Sequence, residues 1–431
     1  MPDHRPPPRR VAYLVSQYPM LSMIFIIREV LQLRRLGWRI DVASINAADR
    51  GLQGLTADEA GEASHTYYLK PHGWRGALNA HLDTALRHPR GWLRGWAAVV
   101  RLARADLRQL ALNLAYFSEA LMVGVWMRRR GQQHLHAHLG SQASTVAMWV
   151  KTVFGHGFSI TVHGPDEFYD AYRQYLPEKV AAADFICCIS HFARSQLMRL
   201  SPYAHWHKLE VVRLGVDPAH FAPRPRPLSA DGAFELLCVG RLTPSKGQHL
   251  LIDAVARLLG QGRRVRLRLV GAGDDRASLE AQVRAQGLVD HVLFEGAVNQ
   301  DRIRALYAQA HCFCIASFAE GIPVVLMEAM AMAVPCVTTR ITGIPELIED
   351  GRDGLLVAPS DAEGLAGAIA RLMDDPALYD RIAVAGRQRV VDDYDLARNV
   401  HRLAEVFGRR LPPPSAAAAA PAAAGRKGEP A

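Results

Sequence analysis

The chain is 431 residues long, 49% apolar and 22% charged, with 51 lysines and arginines against 42 aspartates and glutamates, a net charge of +9. This is the composition of a globular protein of two or three domains, and it excludes a disordered chain, a collagen-like chain and a disulfide-stapled mini-protein. No uncharged apolar run approaches the ~18–20 residues of a membrane span, which excludes a polytopic membrane protein.

At the start, Arg5, Arg9 and Arg10 precede an apolar run over 11–27 that imitates a signal peptide. Ser16-Gln17-Tyr18-Pro19 breaks the run and no small-x-small cleavage site follows it. The segment therefore reads as a buried strand at 11–16, a loop, and an amphipathic helix at 24–36 ended by Gly37. Further strands are expected at 40–44, 134–138, 159–162, 185–189 and 210–213, with helices between several of them. Residues 74–130 are helical in pattern and rich in arginine: Arg87, Arg90, Arg94, Arg101, Arg104 and Arg108 alternate with Trp92, Leu93, Trp96, Val99, Val100 and Leu107. Two readings stand side by side: an interfacial surface on an anionic membrane, and helices packed on a sheet with arginines outward. The apolar stretch 111–126 holds Asn113 and Glu119 and reads as too short to cross a bilayer.

Pro223-Arg-Pro-Arg-Pro227 reads as a stiff charged linker. Beyond it strands at 235–239, 267–270, 291–294, 312–316 and 336–339 alternate with helices at 248–259, 276–286, 302–310, 323–331 and 363–373. Such alternation predicts parallel, doubly wound sheets, and so an α/β chain of two Rossmann-like domains facing across a cleft. The expected domains are 1–222, with the basic helical insertion at about 74–130, and 226–392. A helix at 393–411 is expected to pack back on the first domain, and the Pro/Ala tail at 412–431 to stay disordered. Charge divides along the same line. Residues 1–225 carry a net +10 and the remainder −1, so an acidic partner is sought on the first half. Six cysteines, Cys187, Cys188, Cys238, Cys312, Cys314 and Cys336, sit in apolar runs without a Cys-x-x-Cys pair. They read as buried reduced thiols of a cytoplasmic protein.

The densest chemical signal is Glu320-Gly-Ile-Pro-Val-Val-Leu-Met-Glu328. Pro323 suits the first turn of a helix, and Gly321 lets the backbone approach a ligand. With Ile322 and Val324 they form a helix start whose N–H groups and dipole suit a diphosphate. Eight steps along that path cover roughly 10–12 Å, about the span from sugar to ribose in a nucleotide sugar, with one carboxylate at each end. Gly240-Arg-Leu-Thr-Pro-Ser-Lys-Gly247 lies between a strand and a helix, where Arg241 and Lys246 would clamp a leaving diphosphate.

These motifs, with Val270-Gly271-x-Gly273, Phe294-x-Gly296, Gly343-x-Pro345-Glu346 and Asp350-Gly351-x-x-Gly354-Leu355, resemble the retaining GT-B glycosyltransferases of family 4. The resemblance covers almost all of 240–373. It implies that Arg241 and Lys246 bind the donor phosphates, that Glu320 contacts the donor sugar, and that Glu328 contacts the ribose. It also marks 1–222 as the acceptor side and 226–392 as the donor side. Thr161-Val-His163-Gly164-Pro-Asp166 resembles the family's His-Gly-x-Asp stretch, which implies that His163 stands near the donor sugar. The opening Tyr18-Pro19, Ser22, Phe25-Ile26 and Glu29-Val30 resembles exopolysaccharide-type members, with Met23 and Ile24 replacing their Glu-Thr pair. No metal and no cofactor are expected beyond the nucleotide sugar itself. The expected acceptor is a lipid-linked saccharide, met at the anionic inner face of the cytoplasmic membrane, and no nucleic acid is expected.

Three patterns point elsewhere and are set aside. His134, His136 and His138 share one strand face but lack a nearby carboxylate or cysteine in sequence. Asp393-Tyr-Asp395 reads as a helix cap. Gly271-Ala-Gly273 is an incomplete dinucleotide fingerprint. Two other functions fit the same fold: a sugar-nucleotide epimerase or hydrolase, and a non-catalytic nucleotide-sugar-binding scaffold.

Overall fold

The structure, a computed structural model, describes residues 9–103, 106–223, 225 and 232–413. The linker expected at 223–227 and the tail at 412–431 fall mostly outside them, as does Arg104. Two parallel sheets organise the chain, as the strand–helix alternation predicts. The first holds β1 (Arg10–Gln17), β2 (Arg39–Asn46), β3 (Tyr67–Tyr68), β4 (His134–His138), β5 (Gly157–Val162), β6 (Phe185–Cys188) and β7 (Leu209–Val211), in the order β3-β2-β1-β4-β5-β6-β7. The second holds β8 (Phe234–Val239), β9 (Val265–Val270), β10 (Val292–Gly296), β11 (Cys312–Ile315), β12 (Cys336–Thr339) and β13 (Leu355–Val357), in the order β10-β9-β8-β11-β12-β13. β1 runs parallel to β2 and β4, and β8 runs parallel to β9 and β11.

Covered on both faces, the central strands are buried throughout: Phe-Glu-Leu-Leu-Cys-Val in β8 and Cys-Phe-Cys-Ile in β11, apolar but for Glu235. Glu235, the one charge in β8, is held by Arg266 and Arg268 from the neighbouring β9. All six cysteines are buried free thiols. In each sheet the strand order reverses once, between β1 and β4 and between β8 and β11. The carboxyl ends of strands at such a reversal form the crevice where α/β sheets bind ligands.

Among the described residues, two compact units form: one takes residues up to 160, 182–185 and from 404 on, the other 161–181 and 186–403. In the first unit Phe407, from the last helix Leu396–Arg410, is fully buried against His136, Trp38 and Phe185, at ring distances of 5.1, 5.6 and 5.9 Å. The same unit contains the arginine-rich segment, folded as three helices, Gly73–Arg87, Pro89–Ala103 and Leu107–Arg130. The last corrects the expectation of a stretch too short to span a bilayer. Its 24 residues pass that test of length and apolarity. Within the unit it is a core helix: Phe117 and residues 120–127 are buried, and Asn113 donates to Val99 O at 3.4 Å.

Two of the misleading motifs acquire structural explanations. A Cβ on Gly271 would lie 1.9 Å from Gly240 O, and one on Gly273 2.1 Å from Leu242 O. These glycines let the β8 and β9 loops touch backbone to backbone. Asp395 caps the last helix, its Oδ1 accepting the Arg398 N–H at 2.8 Å.

The histidine row needs a correction. Glu29, from the helix Ile24–Arg35, supplies the carboxylate that the local sequence lacks, and Glu29, His136 and His138 present their ligand atoms within 4.8 Å of one another. The Glu29 carboxylate accepts the Tyr13 hydroxyl at 2.7 Å and meets His138 Nε2 at 3.2 Å. Ser159 Oγ joins His134 and His136 at 2.7 and 2.8 Å. Burial pushes His134 down to about 4, so its ring is neutral in the core. Tyr13 thus holds Glu29 and Ser159 holds His136, so these buried polar groups are hydrogen-bonded.

Candidate functional site

The second unit gathers nearly all the chemistry at the β8/β11 reversal. After β8 the chain turns through Gly240–Gly247, with a short 3-10 turn at Pro244–Lys246, into the helix Gln248–Gly260. After β11 it crosses Ser317 to Pro323 and enters the helix Val324–Ala331. The two loops meet: Lys246 Nζ lies 2.6 Å from Glu320 Oε1, and Ser317 Oγ donates to the same oxygen at 2.7 Å. Glu320 is 10% exposed and Lys246 22%, so the pair is largely withdrawn from water, where its attraction is strengthened. Thr342 Oγ1 bonds the Glu320 carbonyl, fixing the backbone of the same residue.

Close backbone contact holds both loops. A Cβ on Gly247, which has φ +63°, would lie 2.1 Å from Ala316 O. One on Gly321 would lie 1.9 Å from His163 O, so the turn that begins the 324–331 helix abuts the turn carrying His163. Pro323 is the residue just before this helix, with φ −67° and ψ 121°, one position earlier than the first-turn placement read from the sequence. Its missing N–H is still without consequence there. Gly321 and Val324 are partly exposed, and Ile322 is packed in the core.

Glu328 lies one turn into the helix and is 3% exposed. Its Oε2 accepts the Tyr307 hydroxyl at 3.3 Å. Burial first, and then the Glu328 charge, pushes that hydroxyl well above its usual range, so it remains a proton donor to the carboxylate. Arg241 projects into solvent, while its carbonyl accepts Gln248 Nε2 at 2.8 Å. His163 is 8% exposed and follows β5 directly. Thus Arg241, Lys246, Glu320 and Gly321 to Val324 cluster on the two loops of one reversal, Glu328 follows on the helix, and His163 meets Gly321 through its carbonyl.

Glu346, read in sequence only as part of the Gly343-x-Pro345-Glu346 motif, accepts the His191 and Phe192 N–H groups at 2.9 and 2.8 Å, capping the helix His191–Leu200. Three participants escape a reading of the sequence: Ser317 and Thr342 fix Glu320, and Glu167 closes the His163 turn. Only the Ser317-x-x-Glu320 spacing hints at one of them.

Residues 223–389 match the family described as glycosyl transferases group 1. Over 90% of its length the chain is 27% identical to the putative colanic acid biosynthesis glycosyltransferase WcaL of Salmonella typhimurium, covering 96% of that protein. It is 26% identical to the amylovoran biosynthesis glycosyltransferase AmsK of Erwinia amylovora over 93% of this chain and 99% of that one. Among solved structures, a sucrose-phosphate synthase from Thermosynechococcus elongatus superposes with a TM-score of 0.73 at 19% identity, over 93% of this chain and 98% of that one. Anabaena HepE, solved with UDP and glucose, gives 0.69 at 19% identity over 93% and 100%. At these identities the solved structures establish the shared fold.

Proposed function

We propose that the chain is a group 1 glycosyltransferase that moves a hexose from a nucleotide diphosphate sugar to a lipid-linked saccharide in envelope or extracellular polysaccharide assembly. The observation that carries this reading is the meeting of Lys246 and Glu320 at the β8/β11 reversal, beside the start of the 324–331 helix.

In the proposed reaction the bond from the anomeric carbon to the diphosphate oxygen breaks. Negative charge grows on the departing diphosphate, where Lys246, Arg241 and the helix N–H groups receive it. Glu320 orients the sugar hydroxyls, His163 faces the sugar, and Glu328 accepts from the ribose. The acceptor oxygen attacks the face that the leaving group vacates, and its proton passes to the departing phosphate. The anomeric configuration is then retained, and the charge is neutralised by these side chains and dipoles without a metal. A panel of UDP-, GDP- and ADP-sugars read by thermal shift tests the donor assignment. One base should raise the melting temperature well above the others, and no shift with any of them would contradict it.

The acceptor end of the proposal draws on the helical segment of the first unit. Trp74, Leu78, Leu82 and Leu86 are 71, 49, 55 and 82% exposed. Spaced four residues apart, they form one apolar stripe along the helix Gly73–Arg87. Exposed Leu93 and Val100 continue the apolar surface on the next helix, and Arg75, Arg90, Arg94, Arg101 and Arg108 are exposed around it. Apolar stripe and arginine rim together suit an anionic bilayer at the inner face of the cytoplasmic membrane. Flotation should recover the protein with anionic vesicles, and a Leu82→Glu/Leu86→Glu pair should weaken that binding by about tenfold or more, since each buried leucine contributes ~1.5–3 kcal/mol. Recovery with neither anionic nor neutral vesicles would remove the membrane from the proposal, and equal recovery with both would remove its anionic character.

A further inference from the structure

The helix Leu176–Ala182 carries a lysine with no exposed surface, Lys179. Burial pushes its ammonium down to about 7, opposed by the charges of Glu167 and Glu178. Glu167 is itself 4% exposed. Its Oε1 accepts the His163 N–H at 2.6 Å and the Gly164 N–H at 2.9 Å. Its own N–H donates to Gly164 O at 3.2 Å. One carboxylate therefore closes the 163–167 turn on itself, and His163 O on that turn is the atom that Gly321 packs against.

A buried carboxylate is expensive unless a counter-charge and hydrogen bonds satisfy it, and a buried lysine is expensive for the same reason. Neither side chain is explained by apolar packing, and neither belongs to the motifs that bind the donor. We propose that Glu167 is a buried positioning residue, its carboxylate locking the His163–Gly164 turn and so placing the His163 side chain, with the buried Lys179 as its counter-charge. This rests on the placement of His163 beside the donor sugar.

The test is a set of variants of the full chain, each measured for melting temperature, kcat and donor KM. Glu167→Ala should lower kcat by about 10–100-fold, the scale of a misplaced site, with donor KM changed by less than about threefold. Glu167→Gln keeps an oxygen for both N–H groups and should recover kcat to within about fivefold of wild type. Lys179→Met strands a carboxylate in the interior, so it should be worse in both stability and kcat than the Glu167→Gln/Lys179→Met double variant. In a His163→Ala background, Glu167→Ala should cost less than about twofold more, because the side chain it positions is already gone. A lowered melting temperature with unchanged kcat, or full additivity with His163→Ala, would overturn the positioning role of Glu167. Should Glu167→Ala fail to fold, the glutamine and double variants decide the same question. Wild-type turnover in His163→Ala alone would instead overturn the placement of His163, and the proposal with it.

Discussion

Replacing Lys246 with alanine should lower sugar transfer by about 10²–10³-fold, the scale expected when one charged donor to a developing anion is removed. The geometry makes the loss double. Lys246 neutralises Glu320 at 2.6 Å before any ligand arrives. Without it the diphosphate loses a cation and meets an uncompensated carboxylate instead. Donor KM should therefore rise together with the fall in kcat. Glu320→Ala should separate the two effects: free nucleoside diphosphate should still bind, because Lys246 is released to it, while kcat for the sugar nucleotide falls. Turnover near wild type in both variants would remove these residues from the site.

Gly321→Ala should be among the most damaging single methyls in the second unit. The added carbon would lie 1.9 Å from His163 O and 3.0 Å from Ile189 Cδ1, and the first of these is backbone that cannot rotate away. Either the fold takes on strain of about 1–3 kcal/mol, or the two turns separate. Separation by even ~1 Å would cost about 10²-fold in rate, since a transfer governed by orientation tolerates little displacement. Gly260→Ala is the matched control. It lies at the end of the helix Gln248–Gly260 with nothing within 4 Å of the added carbon, and should be neutral or slightly stabilising. A Gly321→Ala enzyme with wild-type melting temperature and kcat would contradict the close packing of the two turns.

The sequence made the second sheet readable because its signals are local. Apolar runs such as that of β8 are bounded by glycines, and the loop that follows falls at the carboxyl end of the strand, where ligands bind. The motif residues could thus be placed by position along the chain alone. The two-residue strand Tyr67–Tyr68 was not readable, being too short for any periodicity, while the helix Ala57–His65 shows locally only its Thr56-x-x-Glu59 capping box. Contacts remote in sequence were equally hidden. Glu29 reaches His138 across 109 positions, so the histidine row seemed to lack a carboxylate. Glu346 caps a helix more than 150 residues earlier, and Lys179 is indistinguishable in sequence from a surface lysine. Each of these depends on where the sheets bring distant segments, which no local pattern encodes.

The apolar stripe on the helix Gly73–Arg87 shows what folding adds to the pattern. Arginines interleaved with tryptophans marked the whole of 74–130 alike. Folding separates a buried core helix, Leu107–Arg130, from the outward stripe of Trp74, Leu78, Leu82 and Leu86. Charge and apolarity become a directional surface only once the helix phase is known.

The most direct test of sugar transfer is nucleotide release from the donor chosen by the panel, measured with and without a bacterial membrane extract containing lipid-linked saccharides. Release that depends on the extract, incorporates the sugar into the lipid fraction, and disappears in Lys246→Ala is the predicted result. Release at the same rate without any acceptor, or none in either condition, would contradict it.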